Sequence, residues 1–114
     1  MSAVIAVAVG ASAITACYAG SATHYGESFH GRGMACGAPY DTNDPKIVAV
    51  GYALDDVAPC GARVIVCGPA GCIDGRRSDT CGGCPRADVD LSEAGIVAVC
   101  DGYGRCAVAV AIIR

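Results

Sequence analysis

Ser78-Asp79-Thr80-Cys81-Gly82-Gly83-Cys84, followed closely by Asp88-Val89-Asp90-Leu91-Ser92, is the stretch on which the reading of this chain turns. Two carboxylates, Asp79 and Asp90, flank a cysteine-glycine turn. The second stands just ahead of Ser92, a residue suited to cap a short helix. Each acid has an ordinary structural use. Asp90 near a helix start stabilises it by ~0.3–1 kcal/mol, and Asp79 beside a tight turn can accept from backbone amides. Ser21-Ala-Thr-His-Tyr-Gly26 and Phe29-His-Gly-Arg32, upstream, read as further pieces of one pattern.

The 114 residues suit one domain with a single modest core. The net charge is −3, and one lysine and seven arginines form no basic patch beyond Arg76-Arg77. No nucleic-acid partner is expected, because phosphate binding needs clustered positive charge. With no tryptophan, five tyrosines and one phenylalanine, the chain has no broad aromatic platform.

Nine cysteines, at 17, 36, 60, 67, 72, 81, 84, 100 and 106, are scattered rather than set in two tight ligand pairs. This favours a disulfide framework in an oxidising setting over zinc, and places the chain outside the cell or on a cell or particle surface. Each bridge contributes about 2–4 kcal/mol, which matters for so small a core. Cys67 and Cys72 flank Gly68-Pro-Ala-Gly71, and Cys100 and Cys106 flank Asp101-Gly-Tyr-Gly-Arg105, so both pairs are expected across tight reversals. Cys36, Cys60, Cys81 and Cys84 then pair among themselves in an order left open, with a Cys81–Cys84 bridge closing a small strained loop. Cys81-Gly-Gly-Cys84 also spells the C-x-x-C of zinc and thioredoxin-like sites, weakly here. His24 and His30 read as surface polar residues rather than ligands. No metal or cofactor is expected.

Cys17 is left over, as a free thiol, an intermolecular bridge or a lipid attachment point, since Ile14-Thr-Ala-Cys17 fits a lipobox. Only in the last case would the chain meet a membrane. Residues 1–16 lack the positive start of an ordinary signal peptide. The uncharged run 3–9 is too short to span a bilayer and reads as a strand, apolar on both faces, which must be sandwiched or paired with another chain. Further strands are expected at 22–25, 47–52, 62–67, 72–77 and 106–113, separated by Gly-rich turns. One short helix follows Ser92, with Ile96, Val97 and Val99 as its apolar side. Many short strands and one small helix imply a mainly β, compact barrel. The division expected is an apolar N-terminal segment, 1–19, and a barrel domain, 20–114.

The motifs in order are G-S-A-T-H-Y-G at 20–26, F-H-G-R at 29–32, A-C-G at 35–37, P-Y-D at 39–41, C-G at 60–61, S-D-T-C-G-G-C at 78–84 and D-L-S at 90–92. Together they resemble the double-psi β-barrel domain of expansins, fungal expansin-like proteins and the rare lipoprotein A family. The resemblance implies a six-stranded barrel acting on cell-wall polysaccharide such as peptidoglycan, either by loosening without hydrolysis or by cleaving glycan strands. It implies that Asp90 is the acid of the D-L-S motif, that Asp79 is a second groove acid, and that Thr23 and Tyr25 line the same groove. Two departures stand out. The lytic members carry a glutamate in an N-G-E-x-Y-D stretch where this chain has Ala38, although Asp41 remains, and their histidine on the following strand corresponds to Gly51.

Glycan cleavage needs a proton donor and usually a second carboxylate. Asp90 and Asp79 are the candidate pair, with Asp41 a weaker candidate and Glu27, just past the first strand, a further polar residue for substrate binding. The lost glutamate argues against an enzyme. The leading expectation is an expansin-like module that binds polysaccharide without efficient hydrolysis. A structural subunit of a filament or virion, joined to its own copies through residues 3–9, is one alternative, and a lytic enzyme is another.

Overall fold

The computed structural model describes residues 7–9 and 12–113. Seven strands run in the order β1 (Val7–Val9), β2 (Ser12–His24), β3 (Ile47–Val50), β4 (Arg63–Cys67), β5 (Cys72–Thr80), β6 (Val89–Leu91) and β7 (Cys106–Ile113), with one helix, α1 (Glu93–Cys100), between the last two. Across the sheet the order is β1-β2-β6-β3-β5-β4-β7, and β7 pairs back onto β2. Six strands, β2 to β7, thus close into a barrel, which leaves them no free edge. Two of the contacts are parallel, β2 with β6 and β3 with β5. β1 adds to β2 outside this ring, with Val9 opposite Ser12.

The barrel closes over a core of small and branched apolar side chains. Ala22, Val48, Val50, Val64, Val66, Val89, Leu91 and Val110 are all fully buried. Burial alternates along β5 and β7, as expected where one face meets the core and the other meets water. β3 differs: all four of its residues are buried. Its outer face is covered by a second, smaller cluster of Met34, Tyr40 and Ile47, against which Tyr25 packs. Each such branched side chain stabilises the fold by roughly 1.5–3 kcal/mol.

β2 is longer than the 22–25 expected from its sequence. Its alanines, serines and glycine are weak strand formers. What holds them is tertiary pairing, since β7 lies antiparallel to β2 from Ile14 to Ala22. Gly20 is required in that strand because a Cβ there would stand 2.4 Å from the carbonyl oxygen of Ala87. β2 also runs through position 19/20, where the apolar segment was expected to give way to the barrel. Of the strand expected at 3–9, Val7–Val9 form β1. Residues 3–6 lie outside the described residues.

The expected strand 47–52 stops at Val50 and turns through a short 3₁₀ segment, Tyr52–Leu54. β5 extends past 77 to Thr80. β6, only three residues long, has too little sequence to announce itself as a strand. The helix begins as its cap predicts: the Ser92 hydroxyl accepts from the Gly95 amide at 3.0 Å and donates to the Asp44 carbonyl at 2.6 Å. Ile96 and Val99 face the core, but Val97 is exposed and does not belong to the apolar side.

Four disulfides staple the barrel: Cys36–Cys60, Cys67–Cys72, Cys81–Cys84 and Cys100–Cys106. The second and fourth cross the tight reversals at 68–71 and 101–105. The bridge expected to be strained, Cys81–Cys84, is among the four. Cys17, on β2, is the free cysteine among the described residues.

Candidate functional site

Four adjacent strands place one residue each in a transverse row. On β6, Asp90 stands opposite Thr23 of β2 on one side and Ala49 of β3 on the other. Ala49 in turn stands opposite Asp79 of β5. Directly opposed residues point to the same side of a sheet. The flanking pairs Val89–Val50 and Leu91–Val48 fill the core, so the row Thr23, Asp90, Ala49, Asp79 faces outward. Strands lie about 4.8 Å apart, which sets the Cα atoms of Asp90 and Asp79 roughly 10 Å from one another, with the fully buried Ala49 between them.

Asp79 reaches this face through an irregularity. Val48 pairs with Arg77, yet the next residue of β3, Ala49, pairs with Asp79. Ser78 is the extra residue of a β-bulge, and it reverses the alternation of everything after it. Without the bulge, Ser78 would face outward and Asp79 would be driven into the core. The bulge is held from beneath by Arg77, which is 6% exposed. Its guanidinium donates to the carbonyls of Asp79 at 2.9 Å and Ala58 at 2.9 Å, to the Thr80 hydroxyl at 2.7 Å and to Asp55 at 3.0 Å. The sequence suggests Arg76-Arg77 as a small basic patch. Arg77 is instead a buried brace, a role that a lone arginine in a polar run does not announce.

The acids are in different situations. Asp79 accepts three hydrogen bonds, from the Tyr25 hydroxyl at 2.7 Å, the Ala35 amide at 2.7 Å and the Thr80 amide at 2.8 Å. It therefore clamps the loop before β3. Asp90 accepts from the Thr23 hydroxyl at 2.9 Å. That hydroxyl also lies 3.4 Å from the Val89 carbonyl, but it has one proton and the shorter, charged acceptor takes it. The other oxygen of Asp90 has no partner among the described residues. Burial pushes the Asp90 carboxyl above its ordinary range, the Thr23 bond and the charge of His24 oppose the rise, and the Asp79 carboxylate adds to it.

Tyr25 links Asp79 to the covering loop. Its ring stacks on Tyr40 at 4.6 Å and meets Phe29 edge-on at 6.2 Å. Burial, and then the bond to Asp79, hold its phenol far above the ordinary tyrosine value, so it is a permanent donor at any physiological pH.

Thr23 with Asp90 and Tyr25 with Asp79 thus form two hydrogen-bonded pairs. Glu27 and Asp41 belong to neither. Glu27 lies exposed on a 3₁₀ turn, Glu27–Phe29. Asp41 is exposed and accepts from the Asn43 amide at 2.9 Å. It lies 3.8 Å from Nδ1 of His30, but that nitrogen accepts from the Thr42 amide at 3.2 Å and so carries no proton there. The contact is not an ion pair, and His30 serves to hold its loop.

The two departures from the lytic pattern have physical counterparts. Ala38 is exposed and its carbonyl accepts from the Met34 amide. At Gly51 a Cβ would stand 2.3 Å from the carbonyl oxygen of Cys84, so no side chain fits. A surface pocket lined by Asp56, Val57, Pro59, Ala62 and Ile113 contains none of Thr23, Tyr25, Asp79 and Asp90.

No protein-family model and no curated protein sequence matches the chain. Solved structures do. The apo expansin of Clavibacter michiganensis superposes with a TM-score of 0.70 at 30% identity, covering 86% of this chain and 50% of that one. An Asp-to-Asn mutant of the Clavibacter michiganensis expansin in complex with cellohexaose gives 0.71 at 27% identity, with the same coverage. A Streptomyces papain inhibitor gives 0.70 at 25% identity, covering 89% of this chain and 97% of that one. The chain therefore spans about half the length of the expansin structures it matches and nearly all of the inhibitor. In its closed six-stranded barrel and in these structural neighbours, the chain resembles the expansin-like double-psi β-barrel proteins.

Proposed function

We propose that this chain is an extracellular module that binds cell-wall polysaccharide through Thr23, Tyr25, Asp79 and Asp90 without hydrolysing it efficiently. The observation that carries the reading is the outward row that sets Asp90 and Asp79 on either side of Ala49. Such a surface suits sugar hydroxyls, which donate to the open oxygen of Asp90. The expansin solved with cellohexaose supports this choice of ligand class.

Cleavage asks more of the same residues. Asp90, with its raised affinity for a proton, has the character of a general acid. A partner base or nucleophile must be free to move toward water or the anomeric carbon. Asp79 is instead tied by three donors, and the positions of the lytic glutamate and histidine hold Ala38 and Gly51. The four disulfides fit an oxidising, extracellular setting.

Pull-down with insoluble cellulose, chitin and peptidoglycan tests the reading, with released reducing ends assayed in the supernatant. Retention on at least one polymer without fragments supports it. No retention on any of them removes it, and fragments that vanish in Asp90→Asn would establish the lytic alternative instead.

A second reading rests on the papain inhibitor, because that protein and this chain cover each other almost entirely. On that reading the disulfide-stapled surface docks on a cysteine protease, and a titration against papain activity decides it. The filament or virion reading rests on residues 3–9. The pairing of Val7–Val9 with β2 of the same chain already engages one edge of that segment. Deleting residues 1–10 tests it by asking whether any assembly is lost.

A further inference from the structure

Among the described residues, β1 is the strand that stands outside the closed ring. It ends the sheet order, and its ladder to β2, with Val7 opposite Ile14, Ala8 opposite Ala13 and Val9 opposite Ser12, uses one edge. No strand of the described residues pairs with the other edge. A row of backbone N–H and C=O groups is therefore open there to water or to another strand. Soluble proteins guard such an edge with a charge, a proline or a bulge. This chain supplies none of the three. All eight basic and eleven acidic residues lie at or after Glu27, the first proline is Pro39, and the β1–β2 register runs without a shift.

We infer that this open edge is a dimerisation surface, occupied by β1 of a second copy of the chain running antiparallel to it. Two identical strands paired antiparallel are related by a two-fold axis, so each edge offers what the other accepts. With the axis at Ala8, the two copies of that residue oppose each other and Val7 opposes Val9. Charge selects the same occupant. Each chain carries −3, so two copies repel on approach except where neither bears charge, and residues 1–26 are that place. The geometry also separates this dimer from a filament. A filament needs two different surfaces that meet head to tail, whereas an edge shared about a two-fold axis is used up once two copies have paired. β1 keeps its place on its own β2 and is not donated to a neighbour's barrel. Three residues a side make a contact smaller than a standard interface, so the dimer forms in a concentration-dependent way.

Sedimentation equilibrium over a concentration series tests this on the full chain, its N-terminus checked by intact mass. Ala8→Lys, Ala8→Glu and an equimolar mixture of the two are run beside it. The wild type should pass from monomer to dimer and no further. Each charged variant should dimerise roughly a hundredfold more weakly, because like charges meet at the axis, and the mixture should regain the dimer by joining one variant to the other. A second measurement covers the case in which the substitutions displace β1 from β2 and the mixture stays monomeric. Wild-type chains, half of them isotope-labelled, should give intermolecular NMR contacts between β1 strands. Such contacts uphold the inference even then, and contacts through another surface overturn it. A wild type that is monomeric throughout the series, or that grows beyond two copies, overturns it as well. So do charged variants that dimerise as tightly as the wild type.

Discussion

The two faces of the same four strands make opposite demands on neighbouring residues. On the inner face of β2, β6 and β3, Ala22, Val89, Leu91, Val48 and Val50 are all fully buried and apolar. One residue away along each strand, the outer face holds Thr23, Asp90 and Ala49, and β5 adds Asp79 through its bulge. The inner face is interchangeable in chemistry and strict in volume. The outer face is strict in chemistry, and Ala49 shows that it is strict in volume at one point too. A two-residue period is enough to build a core and a polar row from one set of strands, provided that one register shift corrects the fourth member.

Substitution at adjacent positions should split these roles. Leu91→Ala, on the inner face, should destabilise the chain by about 2–5 kcal/mol in denaturant unfolding, through lost burial and a cavity. Removing Arg77 from beneath the bulge, as Arg77→Ala, should cost a similar amount, roughly 3 kcal/mol or more, because the buried Ala58 carbonyl and the Thr80 hydroxyl lose their charged donor. An Arg77 variant as stable as the wild type would mean that the bulge is held by something else.

Disulfides sharpen the same contrast on a smaller scale. Cys36–Cys60 closes a loop of 24 residues in sequence separation, whereas Cys81–Cys84 spans 3. Replacing the first pair by serines should cost about 3–4 kcal/mol and the second about 2 kcal/mol on chain-entropy grounds. The Cys81–Cys84 loss should nevertheless weaken polysaccharide retention more, since that loop follows Asp79 directly.

Asp90→Asn is expected to do the reverse of Leu91→Ala. A carboxyl whose affinity for protons is raised by folding holds more protons in the folded than in the unfolded state. Its contribution is therefore lost as pH rises through the folded value, and the charged form is a burden at neutral pH. The asparagine, which can still accept from Thr23, should melt at or above the wild-type temperature at pH 7. That advantage should vanish below the carboxylate range. A wild type more stable than Asp90→Asn at neutral pH would contradict the assignment. At the small end, Asp74→Asn breaks a bidentate but exposed pair with Arg63 on the barrel wall. It should leave both stability at ordinary salt and polysaccharide retention unchanged.

Much of this was legible in the residues. The motif order named the barrel, the turns flanked by Cys67 and Cys72 and by Cys100 and Cys106 indicated two bridges, and Ser92 marked the helix start. The strand carrying Asp90 was not legible, because three residues ahead of a helix cap carry no period of their own. The length of β2 was hidden for the opposite reason: its small residues are poor strand formers held by pairing with β7. The bulge at Ser78 was invisible because Arg-Arg-Ser-Asp-Thr is polar throughout, so no apolar alternation exists to reveal a slip. Of the candidate acids, Asp79 and Asp90 stand in the outward row while Asp41 and Glu27 stay in exposed turns, a distinction set by register and not by residue type.

The central claim is that polysaccharide is held on the outer face of these strands. A two-dimensional NMR titration of the full chain with cellohexaose or chitohexaose tests it most directly. Amide shifts concentrated at Thr23, Tyr25, Ala49, Asp79 and Asp90, and absent around Arg63 and Asp74, are the expected result. Shifts confined to the Arg63–Asp74 side of the barrel, or none with either sugar, would contradict it.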